Sequence, residues 1–199
     1  MILDPASLIA KYNLQSKAEQ YFTVLMQENE RVNLVSRETE NAGFNKLFAE
    51  SILPLEKLEK QKFDSYLDIG SGGGFPSIPL LLNATAPSAT LVERTGKKAK
   101  ALESMAANLG LSVQVINRSL EEVKFERKFS LITLRYVTLT KLLNTKIESV
   151  LEKGGIFIYY SSILPNLMIP QDGAVSRETF RYQIGGDQTQ FGFTIFKKK

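Results

Sequence analysis

From residue 63 onward, short apolar segments with the composition of β-strands alternate along the chain with segments of helical spacing. The predicted strands are 66–69, 89–92, 113–116, 130–134 and 156–160. The predicted helices between them are 75–82, 97–109 and 139–151. Strict alternation of strands and helices is typical of a doubly wound, mostly parallel sheet with helices on both faces. We therefore predict an α/β fold.

The two ends of the chain follow other patterns. Apolar residues at helical spacing predict a helical N-terminal extension in residues 1–62, packed on the α/β domain in residues 63–199. Three helices are predicted in this extension. The first begins after Asp4, the second begins at a capping box over 16–19, and the third runs over 45–58 and is divided at Pro54. At the other end, aromatic runs at 180–184 and 191–196 flank a glycine-containing turn, which predicts an antiparallel hairpin.

Composition excludes several kinds of chemistry. The chain contains no His and no Cys, which removes thiolate nucleophiles, imidazole bases and the commonest zinc ligands, so no metal site is expected. A formal net charge of +4 fits a polyanionic partner without requiring one. No apolar run is long enough to span a bilayer, and the N-terminus lacks the pattern of a signal peptide. We expect a cytoplasmic monomer with no membrane partner.

The first predicted strand runs directly into the sequence Asp-Ile-Gly-Ser-Gly-Gly-Gly-Phe-Pro at 68–76. In a doubly wound sheet, ligands bind beyond the carboxyl ends of the strands, which makes this loop the candidate site. Its glycines allow the backbone to approach a ligand closely. A nicotinamide-binding fingerprint requires glycine at the position of Phe75, so this sequence disfavours a nicotinamide-dependent oxidoreductase.

Two acidic residues indicate which ligand the loop binds. Asp68 would repel a pyrophosphate, but it suits a cationic amino group such as that of the methionine part of S-adenosylmethionine. Glu93 ends the second predicted strand, 23 residues after Gly70, and can accept hydrogen bonds from both ribose hydroxyls. The two carboxylates therefore predict S-adenosylmethionine as the cofactor.

Four segments together resemble the small-subunit ribosomal RNA methyltransferase G family, also known as the glucose-inhibited division protein B family. They are 70–80 with its Gly-Phe-Pro-x-Ile-Pro block, Asn33-Leu34, Glu50-Ser51 and 91–98. The resemblance extends from about residue 33 to residue 160. It implies a Rossmann-like methyltransferase that transfers a methyl group from S-adenosylmethionine to N7 of a guanine in 16S ribosomal RNA. It also implies this RNA, or the small ribosomal subunit, as the partner.

Residues at the positions of the family's site are the candidate site residues. The candidate cofactor-binding residues are Asp68, Gly70, Ser71, Gly72, Gly74, Phe75, Glu93, Ser119, Leu120, Glu121 and Arg135. Arg135 is also the candidate catalytic residue, because it ends the fourth predicted strand and should face the junction of cofactor and substrate. A guanidinium beside a sulfonium needs an anion between them, which favours an RNA phosphate or guanine O6 as its partner. An ion pair with a nearby Glu is the alternative.

Three further cations are candidates for RNA phosphate contacts, namely Arg94, Lys97 and Lys98, although helix-surface lysines are more often simply solvated. No general base is expected, since guanine N7 has no proton to lose.

The chain also departs from the family pattern, mostly on the substrate side. The departures are Leu47 for His, Glu50 for Asp, Tyr136 for a small residue after the Arg, Ser119 for an Arg, and Tyr160 near the place of a Lys. Two alternatives therefore stay open. One is a methyltransferase of the same fold that acts on another RNA or a small molecule, and the other is a non-catalytic cofactor-binding module.

Overall fold

The computed structural model describes residues 1–58, 61–161, 175–185 and 189–199 of the chain. Its strands are β1 (Ile2–Leu3), β2 (Tyr66–Ile69), β3 (Ala89–Val92), β4 (Val113–Ile116), β5 (Phe129–Leu134), β6 (Leu151–Tyr159), β7 (Val175–Ile184) and β8 (Phe191–Lys198). Its α-helices are α1 (Pro5–Lys11), α2 (Gln15–Asn29), α3 (Phe44–Ile52), α4 (Ser77–Leu82), α5 (Gly96–Asn108) and α6 (Lys141–Val150). Short helical turns occupy Thr39–Gly43, Leu53–Lys57 and Leu120–Glu122.

The strands form one eight-stranded sheet in the order β1-β7-β8-β6-β5-β2-β3-β4. Strands β2 to β6 pair in parallel, whereas β8 is antiparallel to both β6 and β7. After β2 the chain builds outward through β3 and β4, and it then returns to the other side of β2 with β5. The carboxyl ends of β2 and β5 therefore flank the switch point of the sheet, where such folds bind ligands.

The sheet is covered on both faces, and alternate residues of each inner strand face opposite cores. In β6, Ile156 and Ile158 pack into one core, while Phe157 and Tyr159 pack into the other. The first core also contains apolar residues of α1 to α5, and the second contains those of α6. The N-terminal helices thus pack against the same face of the sheet as α4 and α5.

The structure confirms the predicted class of fold and the hairpin, and it corrects several local predictions. Helix α2 begins at Gln15 without a side-chain cap, so the predicted capping box at Ser16 is wrong; Leu14, which is only 2% exposed, anchors the start of this helix in the core. Asp4 does cap α1, with its carboxylate accepting from the Ala6 amide at 3.2 Å. Pro54 divides the third helical segment as predicted.

The extension also contributes a strand that the sequence did not predict. Strand β1 pairs in parallel with β7, with Leu3 opposite Ile184. A two-residue strand carries too little periodic pattern to be detected, and its partner strand lies almost at the other end of the chain.

Candidate active site

The loop after β2 is shaped by glycines in the left-handed backbone region. Gly70 has φ +71°, and a Cβ atom there would lie 2.5 Å from the side chain of Val137. Gly74 has φ +91°, and its Cβ would lie 3.0 Å from the hydroxyl of Tyr21. This hydroxyl donates a hydrogen bond to the carbonyl of Gly73 at 2.6 Å. The loop is therefore held against both α2 and the segment after β5, and neither Gly70 nor Gly74 leaves space for a side chain.

Glu93 anchors this loop to the end of β3. Its Oε2 accepts a hydrogen bond from the Gly72 amide at 3.0 Å, and its Oε1 accepts one from the Thr95 amide at 2.8 Å. The residue is 6% exposed. A carboxylate has about four acceptor positions, so each oxygen can accept one further hydrogen bond. Glu93 is thus a fixed, buried anion that can still bind a ligand.

A cavity of about 890 Å³ opens at the carboxyl ends of β2, β3 and β5. Its lining includes Gly70, Ser71, Gly72, Phe75, Glu93, Ser119, Leu120, Glu121 and Arg135, all of which were predicted to bind the cofactor. One wall comes from the N-terminal extension, through Leu34, Thr39 and Glu50 among others. The cavity is large enough for a nucleoside-containing cofactor together with part of a substrate.

Two predicted cofactor residues lie behind the lining of the cavity. Asp68 is 1% exposed, and the Thr133 hydroxyl donates a hydrogen bond to its Oδ1 at 2.5 Å. Its Oδ2 is buried with no hydrogen-bond partner among the described residues, and burial raises the pKa of this carboxyl. Asp68 thus lies behind the cavity lining with one oxygen unpartnered in the described part of the chain, and its contact with an amino group stays a prediction. Gly74 shapes the loop instead of lining the cavity.

Arg135 directly follows β5, and its side chain lies in a buried polar cluster. Its Nη2 lies 2.5 Å from Oε2 of Glu50, and its Nη1 donates to the Ser51 hydroxyl at 3.1 Å. The hydroxyl of Tyr182 donates to the other oxygen of Glu50 at 3.1 Å, and Tyr160 donates to the Ser51 carbonyl at 2.6 Å. The anion that we expected from RNA is therefore supplied by the protein, and the Glu pairing considered as the alternative is the one observed.

The cluster contains one ion pair that is almost completely removed from water. The side chains of Arg135 and Glu50 are 5% and 3% exposed. Burial raises the pKa of Tyr160, and burial together with Glu50 raises that of Tyr182. Both phenols therefore stay protonated at neutral pH, so they donate hydrogen bonds and do not serve as bases.

A model of the family described as "GidB: rRNA small subunit methyltransferase G" matches residues 14–167. The chain belongs to this family. It is 35% identical over 164 residues to the ribosomal RNA small subunit methyltransferase G of Brachyspira hyodysenteriae, which covers 78% of this chain and 79% of that protein. For the enzymes of the same name from Lactobacillus acidophilus and Mycoplasmopsis pulmonis, the identities are 33% and 34%. These matches cover 75% and 71% of this chain, and 68% and 60% of the relatives.

Solved structures support the fold of this family member. An O-methyltransferase from Bacillus cereus in complex with SAH superposes with a TM-score of 0.65 at 16% identity, covering 90% of each chain. A protein of Klebsiella pneumoniae with the same fold gives a TM-score of 0.64 at 16% identity and the same coverage. At these identities the likeness concerns the fold alone.

As a member of this family, the protein is a methyltransferase whose methyl donor is S-adenosylmethionine. The residues of the cavity fit that group. The loop at Gly70 has no space for a side chain, Glu93 offers free acceptor positions beside it, and Glu121 lies exposed in the same lining. A backbone that a ligand can approach closely, together with carboxylate acceptors beside it, suits a ribose and an amino-substituted base.

The predicted RNA-binding cations do not all lie at the cavity. Arg94 and Lys98 line it, whereas Lys97 is exposed outside the lining. Sequence reasoning missed two other cations in the lining, Lys46 and Arg118. The Nζ of Lys46 lies 4.3 Å from the centroid of the Phe191 ring. Lys46 reaches the cavity only because α3 packs there, and no local pattern signals that packing.

The described residues contain neither a membrane-spanning helix nor a metal-binding cluster. None of their helices is both long and apolar enough to cross a membrane. Acidic side chains nowhere form a group of three that could hold a metal ion in this part of the chain.

Proposed function

We propose that this protein transfers a methyl group from S-adenosylmethionine to N7 of a guanine in 16S ribosomal RNA. The observation that carries the proposal is the family match over residues 14–167, which includes the loop after β2, Glu93 and Arg135. The cavity supports it, because the cofactor-side residues and exposed cations lie around the same opening.

We propose that the cofactor lies against the loop after β2, with Glu93 accepting hydrogen bonds from its ribose hydroxyls. Ser119, Leu120 and Glu121 would contact the remainder of the nucleoside. The bound cofactor supplies a methyl group on a positively charged sulfur. Asp68 lies behind the loop, and its carboxyl group favours this positive charge electrostatically when it is ionised.

Guanine N7 accepts a methyl group through a lone pair in the plane of the ring, and no proton leaves it. The protein therefore has to orient the base and exclude water, and it does not have to remove a proton. The chain lacks His and Cys, and its buried tyrosines Tyr160 and Tyr182 stay protonated, so these groups do not supply a general base. This agrees with a reaction that needs none. We propose that Arg135 acts as a positioning residue, through its contacts with Glu50 and Tyr136 at the substrate side.

The position of the methyl group tests this proposal directly. We expect 16S ribosomal RNA, incubated with the protein and S-adenosylmethionine, to gain one methyl group on guanine N7, detected by mass spectrometry of nucleosides. Naked RNA and isolated small subunits should be compared as substrates. Methylation of guanine N1 or N2, or of another base, would contradict the proposal, as would the absence of methylation on both substrates.

The neighbouring lysines Lys97 and Lys98 provide a matched test of the RNA-binding surface. Only Lys98 lines the cavity, so Lys98→Ala should weaken RNA binding more than Lys97→Ala. For single-stranded RNA, the loss of one phosphate contact should reduce the slope of log affinity against log salt by roughly 0.7. Fluorescence anisotropy of labelled RNA at several salt concentrations measures this slope. Equal slopes for the wild type and Lys98→Ala would exclude a phosphate contact at this residue.

A second candidate is a methyltransferase of the same fold that acts on another RNA or a small molecule. The observation that favours it is the clustering of family departures around Arg135. Leu47 accepts a hydrogen bond from Arg135 through its carbonyl, Glu50 pairs with it, and the rings of Tyr136 and Tyr160 flank it. The same mass-spectrometric experiment, extended to transfer and messenger RNA fractions, distinguishes the two candidates.

We infer three further properties from these observations. Residues 1–62 form an extension that completes the cavity of the methyltransferase domain in residues 63–199. One chain supplies residues around the whole cavity, so a monomer suffices for the proposed activity. The protein acts in the cytoplasm, where ribosomal RNA is found.

A further inference from the structure

Tyr136 lies at the mouth of the cavity in an unusual conformation. Its side chain is 80% exposed, the highest value among the exposed large hydrophobic residues of the described ranges. Its backbone has φ +55°, a left-handed conformation that is uncommon for a residue with a bulky side chain. Such strain persists where the surrounding structure imposes it, and it is concentrated at functional sites. The backbone that carries this exposed ring is therefore held in a conformation that local preferences do not explain.

The ring of Tyr136 is supported from one side. The guanidinium carbon of Arg135 lies over it, 4.9 Å from the ring centroid, and Nη2 of Arg135 donates to its hydroxyl at 3.3 Å. The ring of Tyr160 lies 5.5 Å from the same guanidinium carbon. Because Glu50 and Ser51 hold Arg135, the support under Tyr136 is rigid. The remainder of the ring is open to solvent.

We propose that Tyr136 is the surface on which the target guanine stacks. Proteins that recognise unpaired bases stack them on aromatic side chains, and a ring that is fixed on one side and open on the other suits that role. A stacked base has its in-plane N7 lone pair directed along the plane of the ring, so the platform orients the base for transfer. This inference rests on the proposed function, and it concerns a residue at which the chain departs from the family pattern.

A purely structural role for Tyr136 predicts different results. In that case the ring only shields the ion pair of Arg135 and Glu50 from water, and its loss lowers stability without changing the affinity for RNA. Three kinds of experiment distinguish the stacking role from the structural role. They use a variant that keeps an aromatic ring, a variant that keeps only the backbone conformation, and a fluorescence signal at position 136.

Steady-state kinetics with 16S ribosomal RNA test the platform first. We expect Tyr136→Phe to retain at least half of the wild-type kcat/KM for RNA, because the aromatic ring is kept. Tyr136→Ala should lose roughly 10- to 100-fold, as truncations of base-stacking aromatics do. Tyr136→Asn should show the same loss, although Asn tolerates the left-handed backbone better. The dissociation constant of S-adenosylmethionine should change less than twofold in all three variants.

Either of two kinetic results would overturn the platform. One is a wild-type kcat/KM for RNA in Tyr136→Ala. The other is an equal loss in Tyr136→Phe and Tyr136→Ala, which would assign the effect to the hydroxyl group.

Fluorescence reports the stacking directly, because the chain contains no Trp. In Tyr136→Trp, the only indole should be quenched when RNA binds, since it stacks on a nucleobase. Leu142→Trp is the matched control; Leu142 is also exposed, at 65%, and it lies on the nearby helix α6 outside the cavity lining. Its emission should not change. An unchanged emission of Tyr136→Trp, at RNA concentrations that saturate binding by anisotropy, would overturn the proposal.

An assay of the wild-type protein separates the stacking proposal from the proposed function. The wild-type protein is assayed first on the same RNA, and N7 methylation of that RNA establishes the function independently of Tyr136. A wild type that methylates N7 while Tyr136→Ala is equally active refutes the platform alone. A wild type without N7 methylation refutes the proposed function, and the platform for a target guanine is refuted with it.

Discussion

Removal of the Glu50 carboxylate is expected to lower the free energy of unfolding by about 3–5 kcal/mol in Glu50→Ala. The reason is the buried position of its partner, because Arg135 is 5% exposed and would keep its charge without a counter-ion. The hydroxyl of Tyr182 would lose its acceptor at the same time. Chemical denaturation followed by circular dichroism measures this change.

The matched control is Glu56→Ala on the surface. Glu56 also pairs with a cation at 2.5 Å, Lys11, and also accepts a hydrogen bond from a tyrosine, Tyr12. It differs in exposure, because the side chains of Lys11 and Glu56 are 62% and 24% exposed. Exposed ion pairs contribute little, so we expect a loss of about 1 kcal/mol. Similar losses in Glu50→Ala and Glu56→Ala would show that burial does not control the strength of the inner pair.

Replacement of both inner partners refines this test. Glu50→Leu combined with Arg135→Met leaves no unpaired charge, so the double variant should recover most of the stability lost in Glu50→Ala. Methylation of RNA should not recover, because the support under Tyr136 is absent. A double variant that is stable and fully active would contradict a positioning role for Arg135.

Loss of cofactor affinity is the largest effect expected on activity, and it should occur in Glu93→Ala. The variant removes the proposed acceptor for two ribose hydroxyls, and it also leaves the amides of Gly72 and Thr95 without their partner. Hydrogen bonds to a charged group contribute about 1.5–3 kcal/mol each, so the dissociation constant of S-adenosylmethionine should rise at least about 100-fold. Isothermal titration calorimetry measures it.

Two further variants separate the causes of that loss. Glu93→Gln keeps one acceptor oxygen and should bind the cofactor with an intermediate affinity. Glu103→Ala removes an exposed carboxylate on α5 away from the cavity lining and should leave the affinity unchanged. A wild-type affinity in Glu93→Ala would refute the proposed ribose contact, and with it the orientation of the cofactor in the cavity.

Local pattern predicted the central sheet closely. The observed strands Tyr66–Ile69, Ala89–Val92 and Val113–Ile116 have the predicted bounds, because each is a short apolar run that ends at polar or glycine residues. Strand β6 spans Leu151–Tyr159 and includes Gly154 and Gly155, so it begins earlier than the predicted strand at 156–160. Both glycines lie in an irregular part of the strand, between the pairs Phe129–Leu151 and Leu131–Ile156, and Gly154 has φ +77°, a conformation that glycine adopts readily.

The sequence by itself determined the class of fold, the glycine loop after the first central strand and the acidic residue at the end of the second. These features depend on periodicity and on residues close together in the chain, and both are visible without coordinates. Only the tertiary structure decided that Asp68 lies behind the cavity, that Lys46 lines it, and that Arg135 pairs with Glu50. Arg135 and Glu50 are 85 residues apart, and a buried cation takes whichever anion the packing of distant elements brings to it.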